Sequence, residues 1–440
     1  MFIIALLRGI LGLSVIIGIA YAFSRHRRQI DWRMVGAGLF LQITFAVLIL
    51  KGEAMGQFFA PLAWPKAFFS WISSFFVLVL DFTTEGAKFI FGNLAISPGQ
   101  DGSLGSFFAF QVLPTIIFFS SLMSILYYLG IMQRIVVGMA WLVRRFLHTS
   151  GAESLSVTAN VFVGQTEAPL VIRPYLSGMT RSELLAVMTG GMATIAGGVM
   201  AAYIQMLGDA FAQAQGLPLD AARLAFAEQL LGASLMAAPA ALLLAKIMIP
   251  ETETPETTGK VAVAAEQRSV NVIDAAADGA ADGLKLALNV GAMLIAFIAL
   301  IAMGNYIVGW MAGLFGGELT LAQLFGWMLA PLAWTIGVPW EDAVQFGSLL
   351  GTKVVLNEFV AYLGLAQNIE AAVLSPKAVV MATFALCGFA NFSSIAIQIG
   401  GIGPLAPSRT SELAQLGLRA VLCGTLANMM TATIAGVLVS

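Results

Sequence analysis

Two glutamates lie inside apolar sequence, each in a short polar break: Glu167 in Gly164-Gln165-Thr166-Glu167-Ala168-Pro169 and Glu358 in Asn357-Glu358-Phe359. A carboxylate at membrane depth costs about 2.5–3.5 kcal/mol or more, so it faces a cavity or a partner and marks a substrate or ion pathway. Gln165, Thr166 and Glu167 offer an amide, a hydroxyl and a carboxylate at one turn. That set suits a flat heterocycle carrying carbonyl and N–H groups. The same atoms also suit internal satisfaction of a turn. Glu358, beside Asn357, pairs in type with Asn391, Ser393 and Ser394. A carboxylate that accepts from two adjacent hydroxyls fits a vicinal diol such as ribose. Phe389, two residues before Asn391, has a face to stack on a planar ring, and it equally suits plain helix packing. Asn160, the Thr194 hydroxyl and the backbone carbonyls of Val163 and Ile195 suit a Na+ shell where helices unwind. A lone helical threonine also bonds back to its own helix.

The elements that must position these groups follow from composition. The chain has 440 residues, 59% hydrophobic and 10% charged, where soluble domains carry about 25% charge. Mean hydropathy is +0.89. The class is an all-α polytopic membrane protein. No basic domain or DNA-binding motif is present, so nucleic acid is not an expected partner. There is no H-E-x-x-H, H-x-x-E-H or G-x-S-x-G pattern and no P-loop lysine, which argues against an enzyme and against ATP-driven work. Cys387 and Cys423 read as small packing residues, and His26 and His148 as solvated neighbours of arginines.

Windows of about 17–25 apolar residues span a bilayer as helices. Eight are expected, at roughly 2–22, 34–50, 111–131, 184–207, 226–249, 284–312, 376–399 and 417–438. The basic cluster Arg25-His26-Arg27-Arg28 follows the first apolar run, so that run reads as a span with its N-terminus outside, not as a signal peptide. The aromatic stretch 58–95, with Trp64 and Trp71, reads as one interfacial helix. Residues 138–176 and 321–363 are interrupted near their middles and read as two re-entrant hairpins, since irregular backbone at membrane depth must line a cavity or be buried in protein. This layout puts Arg25, Arg27, Arg28, Arg33, Arg134, Arg144, Arg145, Arg173, Arg181, Lys246, Lys260, Arg268, Lys285, Arg409 and Arg419 inside, and both termini outside. Residues 1–110 form scaffold helices, 111–249 a first half, 250–282 a cytoplasmic linker that turns helical toward its end, and 283–440 a second half. Each half runs from a hairpin with a central Glu to a helix interrupted by Gly and polar residues, an inverted repeat whose broken helices meet near the midplane.

These segments together resemble the concentrative nucleoside transporter family. The matching stretches are Leu113 to Ser121 with Tyr127-Tyr128-Leu129-Gly130, Gly164 to Pro169, Asn357 to Tyr362, and Cys387 to Ile395. The resemblance implies a homotrimer in a bacterial inner membrane, each protomer importing nucleosides such as uridine by an elevator movement of a transport domain. It implies base contacts from Gln165, Thr166, Glu167, Val199 and Phe389, ribose contacts from Glu358, Asn391 and Ser394, and a Na+ shell of Asn160, Val163, Thr194 and Ile195. No cofactor is implied beyond the coupling ion. Thr194 stands where the family's serine is expected, and some bacterial relatives are proton-coupled, so Na+ and H+ both remain open. The alternative is a cation-coupled symporter of another small polar solute such as a nucleobase. An intramembrane enzyme or a channel is a third class, disfavoured by the missing nucleophile–base pair.

Overall fold

The computed structural model describes residues 2–57, 59–98, 100–257, 269–314 and 316–439. Lys260 and Arg268, expected on the inner side of the linker, lie outside the described residues, as does the linker stretch 258–268. Every regular element among the described residues is helical. The chain opens with α1 (Phe2–Ala22), α2 (Trp32–Leu50), a short α3 (Gly52–Gly56), α4 (Trp64–Phe91) and a short α5 (Phe108–Gln111). The same order of parts then occurs twice. The first run is α6 (Leu113–Tyr128), α7 (Ile131–Leu147), α8 (Gly151–Ala159) returning as the 3-10 segment Ala168–Tyr175, the broken pair α9 (Arg181–Ala193) and α10 (Gly197–Gln215), and α11 (Leu219–Met248). The second is α12 (Val272–Gly313), α13 (Leu321–Thr335), α14 (Trp340–Val355) with α15 (Glu358–Glu370), the broken pair α16 (Pro376–Leu386) and α17 (Phe392–Ile402), and α18 (Thr410–Leu438). Glu167 and Glu358 occupy corresponding turns, one just before the 3-10 segment and the other opening α15.

Capping fixes many of these boundaries. Ser150 with Glu153 and Thr180 with Glu183 form reciprocal capping boxes at the starts of α8 and α9. Asn357 and Asn391 cap α15 and α17, accepting from the Val360 and Ser394 amides at 2.9 Å each. The two expected hairpins differ in extent from the elements seen. Residues 321–335 are a separate helix, bent 120° from α14, and the second arm runs on to Glu370. Residues 131–147 are likewise a helix of their own. The polar end of the linker, 272–282, is the first quarter of the 42-residue α12, capped by Asn271. This is the helical end expected of the linker, and it runs without a break into the following span.

Eight of the described helical segments are long and apolar enough to cross a bilayer. Residues 376–399 are not among them, because they fold as two short helices. Residues 64–95, expected to lie at the interface, do meet the length and apolarity. Their contacts speak for a crosswise path. Lys66 pairs with Glu228, and Asp81 lies 3.9 Å from Arg223. From Lys66 to Asp81 α4 advances about 22 Å, while its partners on α11 shift by only about 7 Å. Thus α4 crosses the N-terminal part of α11 steeply and does not run beside it. Arg223, 3% exposed, is held in turn by Asp209 through two hydrogen bonds of 2.8 and 3.2 Å.

Helices α6 and α12 pack through small residues. Ala275, Gly279, Gly283 and Ala287 are buried on one face of α12, and Ser121 donates to the Ala276 carbonyl at 2.8 Å. A Cβ on Gly279 would sit 2.6 Å from the Ser124 Cβ and 2.7 Å from the Ser120 carbonyl. Such close backbone approach is how helices associate where lipid removes the hydrophobic drive. We expect Gly279→Leu to lower stability in detergent by about 1–3 kcal/mol. Gly313→Leu, where nothing lies within 4 Å, is the neutral control. Equal melting temperatures would contradict this packing.

Candidate substrate and cation site

The two broken helices bring the polar sets together. Helix α9 ends at Ala193, Thr194 and Ala196 are extended, and α10 restarts with the Gly197 amide donating to the Phe162 carbonyl at 3.0 Å. That bond ties the break to the turn between α8 and the 3-10 segment. Helix α16 ends at Leu386, Cys387 is extended, and Gly388 takes φ +147° before Asn391 caps α17. The Phe389 amide reaches the Thr194 carbonyl at 3.4 Å, so the two breaks touch.

Glu358 is 6% exposed and accepts two hydrogen bonds, from the Tyr203 hydroxyl at 3.1 Å and from Asn391 Nδ2 at 2.9 Å. Asn391 therefore works twice, as a helix cap through Oδ1 and as a donor through Nδ2. A carboxylate has about four acceptor positions, so Glu358 keeps capacity for a further donor pair. Gln165 comes from the other half of the chain and donates to Ser394 Oγ at 3.2 Å. Gln398 donates to both Gln165 Oε1 at 3.1 Å and the Met188 carbonyl at 2.9 Å. Thus Gln165, Glu358, Asn391 and Ser394 form one connected polar cluster. Thr166 and Glu167 stand at its edge. Glu167 accepts from Thr166 Oγ1 at 3.0 Å and folds back over Gly164. Val199 is buried in the first turn of α10, and Phe389 is partly buried.

The proposed cation residues meet a simple test of fit. Asn160 is fully buried, yet its side-chain oxygen has no hydrogen-bond partner, while its Nδ2 bonds back to Ser156 at 3.1 Å. A buried orphan oxygen calls for a donor or a cation. The Thr194 hydroxyl does bond back to its helix, to Gly190 at 2.9 Å, which uses its proton and leaves its lone pairs. Ile195 is fully buried and Val163 partly so.

Sequence reasoning missed four residues of this region: Tyr203, Gln398, Lys353 and Asn428. Tyr203 sits in an apolar helix and gives no polar signal beyond its hydroxyl. Lys353 was visible in principle, as a lysine within Leu349-Leu350-Gly351-Thr352-Lys353-Val354-Val355. The rule that singled out the glutamates applies to it equally.

Comparison with known proteins bears on what this cluster serves. Three family profiles match: Na+ dependent nucleoside transporter N-terminus over residues 11–94, nucleoside recognition (Gate) over 109–210, and Na+ dependent nucleoside transporter C-terminus over 229–436. The nucleoside permease NupC of Helicobacter pylori is 41% identical over 98% of this chain and 97% of its own. Sodium/nucleoside cotransporter 1 of Rattus norvegicus is 39% identical over 97% of this chain, which spans 63% of that longer protein. The structure of CNTnw in an inward-facing substrate-bound state superposes with a TM-score of 0.86 at 43% identity, covering 99% of this chain and 98% of that one. A CNTnw variant in an outward-facing state matches equally well, at 0.87. With a shared fold over nearly the whole length and these identities, the chain belongs to the concentrative nucleoside transporter family, whose members are transporters and not enzymes.

Proposed function

We propose that this protein is a secondary active symporter that imports nucleosides such as uridine across the bacterial inner membrane, coupled to Na+ or H+. The observation that carries this reading is the linked cluster in which Glu358 is held by Tyr203 and Asn391 while Gln165 joins Ser394 across the two halves. In this reading Glu358, Asn391 and Ser394 take the ribose, and its hydroxyls donate to the free positions on Glu358. Gln165, Thr166 and Glu167 take the base edge, with Val199 and Phe389 as apolar contacts. Asn160, Thr194 and the carbonyls of Val163 and Ile195 take the Na+. The unpartnered Asn160 oxygen supports that role.

The architecture follows the same reading. Helix α8 with its 3-10 return, and α14 with α15, are re-entrant hairpins entering from the inner and outer sides. The first half and the second form an inverted repeat, and both termini lie outside. Helix α4 is the interfacial helix, a role its steep crossing of α11 supports. The protomers form a homotrimer in the bilayer, and the transport domain moves as an elevator against scaffold helices.

Competition separates this proposal from a nucleobase carrier. Unlabelled uridine is expected to suppress radiolabelled uridine uptake in proteoliposomes far more strongly than free uracil, because uracil leaves Glu358 and Asn391 without a ligand. Equal suppression by uracil would overturn the ribose assignment.

A further inference from the structure

Lys353 lies near this cluster in a place that substrate and ion binding leave unexplained. It is fully buried on α14, four residues before Asn357. Its ammonium donates to the Ala385 carbonyl at 2.9 Å and to Asn428 Oδ1 at 2.6 Å. Asn428, on α18 and also fully buried, donates onward to the Ala193 carbonyl at 2.7 Å. None of the ion pairs among the described residues includes Lys353, although the buried Glu358 carboxylate acts on it at longer range. What it meets instead is the ends of two half-helices. Ala193 is the last residue of α9, and Ala385 lies one residue from the end of α16. The C-terminus of a helix carries about half a negative charge in its unsatisfied carbonyls. Two such ends converge here, and one ammonium, with one amide as intermediary, answers both.

The repeated order of elements gives that position a meaning. In the first half, the proposed cation residues come from the end of α8 and the break between α9 and α10. The corresponding parts of the second half are the end of α14 and the break between α16 and α17. Lys353 belongs to the first of these, and its ammonium reaches the carbonyl at the edge of the second. We propose that Lys353 is a tethered cation, a positioning residue that does permanently for the second broken helix what the coupling cation does for the first. A positive charge there ties α14 to α16 and leaves the transporter with one exchangeable cation. This inference rests on the cation-coupled reading above.

The test is Na+-driven uridine uptake in proteoliposomes for wild type, Lys353→Gln and Asn428→Asp. The first substitution removes the fixed charge. The second leaves Lys353 in place but sets a carboxylate against the Ala193 carbonyl, creating the same deficit of positive charge with almost no change in volume. If Lys353→Gln does not fold, Asn428→Asp alone decides. The wild type is expected to respond to Na+ with a Hill coefficient of about one, and the variants with a lower apparent Na+ affinity and a coefficient rising toward about two. A purely structural lysine would lower yield or melting temperature without altering the Na+ order. Variants that fold and keep the wild-type Na+ order would overturn the tethered-cation proposal alone. A wild type whose uptake ignores Na+ would overturn the Na+-coupled reading and this inference with it.

Discussion

Glu358→Gln is expected to abolish nucleoside uptake while leaving the assembled protein intact. The substitution preserves size and removes only the charge. The Tyr203 hydroxyl, 3.1 Å from Oε1, can accept as well as donate, so it tolerates an amide nitrogen at that position. With its amide oxygen turned to Asn391 Nδ2, 2.9 Å from Oε2 in the wild type, the glutamine keeps that contact and its NH2 donates to the Tyr203 hydroxyl oxygen, so what is lost is the charged acceptor. Hydrogen bonds to a charged acceptor contribute about 1.5–3 kcal/mol each. A ribose that places two hydroxyls on Glu358 therefore loses about 3–6 kcal/mol of binding, or on the order of 100-fold to 10,000-fold in affinity. Uptake at low uridine concentration should fall by at least about two orders of magnitude. Size-exclusion elution should match the wild type. Wild-type transport by this variant would refute the ribose role of Glu358.

Gly388→Ala is expected to be severely destabilising, since among the described glycines only Gly388 combines a positive φ with contacts under 3 Å to an added Cβ. Gly388 sits in the break between α16 and α17 at φ +147°, a conformation that a residue with a Cβ adopts only under strain. An added Cβ would lie 2.6 Å from Asn428 Oδ1 and 2.7 Å from each of the Ala193 and Met192 carbonyls. Two of these groups belong to backbone at the end of α9, which cannot yield without disturbing the first break. Backbone strain of this kind costs about 1–3 kcal/mol, and overpacking adds about 1–3 kcal/mol. The melting temperature in detergent should drop sharply, or folded protein should fail to accumulate. Gly400→Ala is the matched control: it lies in α17 with nothing within 4 Å of an added Cβ. If both variants melt alike, the contact between the two breaks does not exist as described.

Much of this was legible in the sequence, for physical reasons that also mark its limits. Glu167 and Glu358 stood out because charge in apolar sequence is costly. The breaks near Thr194 and Gly388 stood out because glycine and small polar residues interrupt otherwise continuous helices. Asn391 was legible as a polar group, but not as a residue that caps α17 and holds Glu358 at once. Tyr203 was not legible, since one hydroxyl at the tip of an aromatic ring leaves an apolar helix looking apolar. The end of the linker was legible as helical, but not that it continues unbroken into the next span, nor that its small residues are what allow α12 to press against α6. The limits expected for the hairpins were too wide because helices α7 and α13 are moderately apolar and adjoin α8 and α14 without a long loop. Sequence places groups along the chain, and only the fold says which of them face one another.

The most direct measurement is uridine uptake into proteoliposomes of the purified protein, with inward Na+ and H+ gradients imposed separately. The account predicts uphill accumulation of uridine under at least one gradient, abolished when that gradient is collapsed. No accumulation of any nucleoside under either gradient would contradict it.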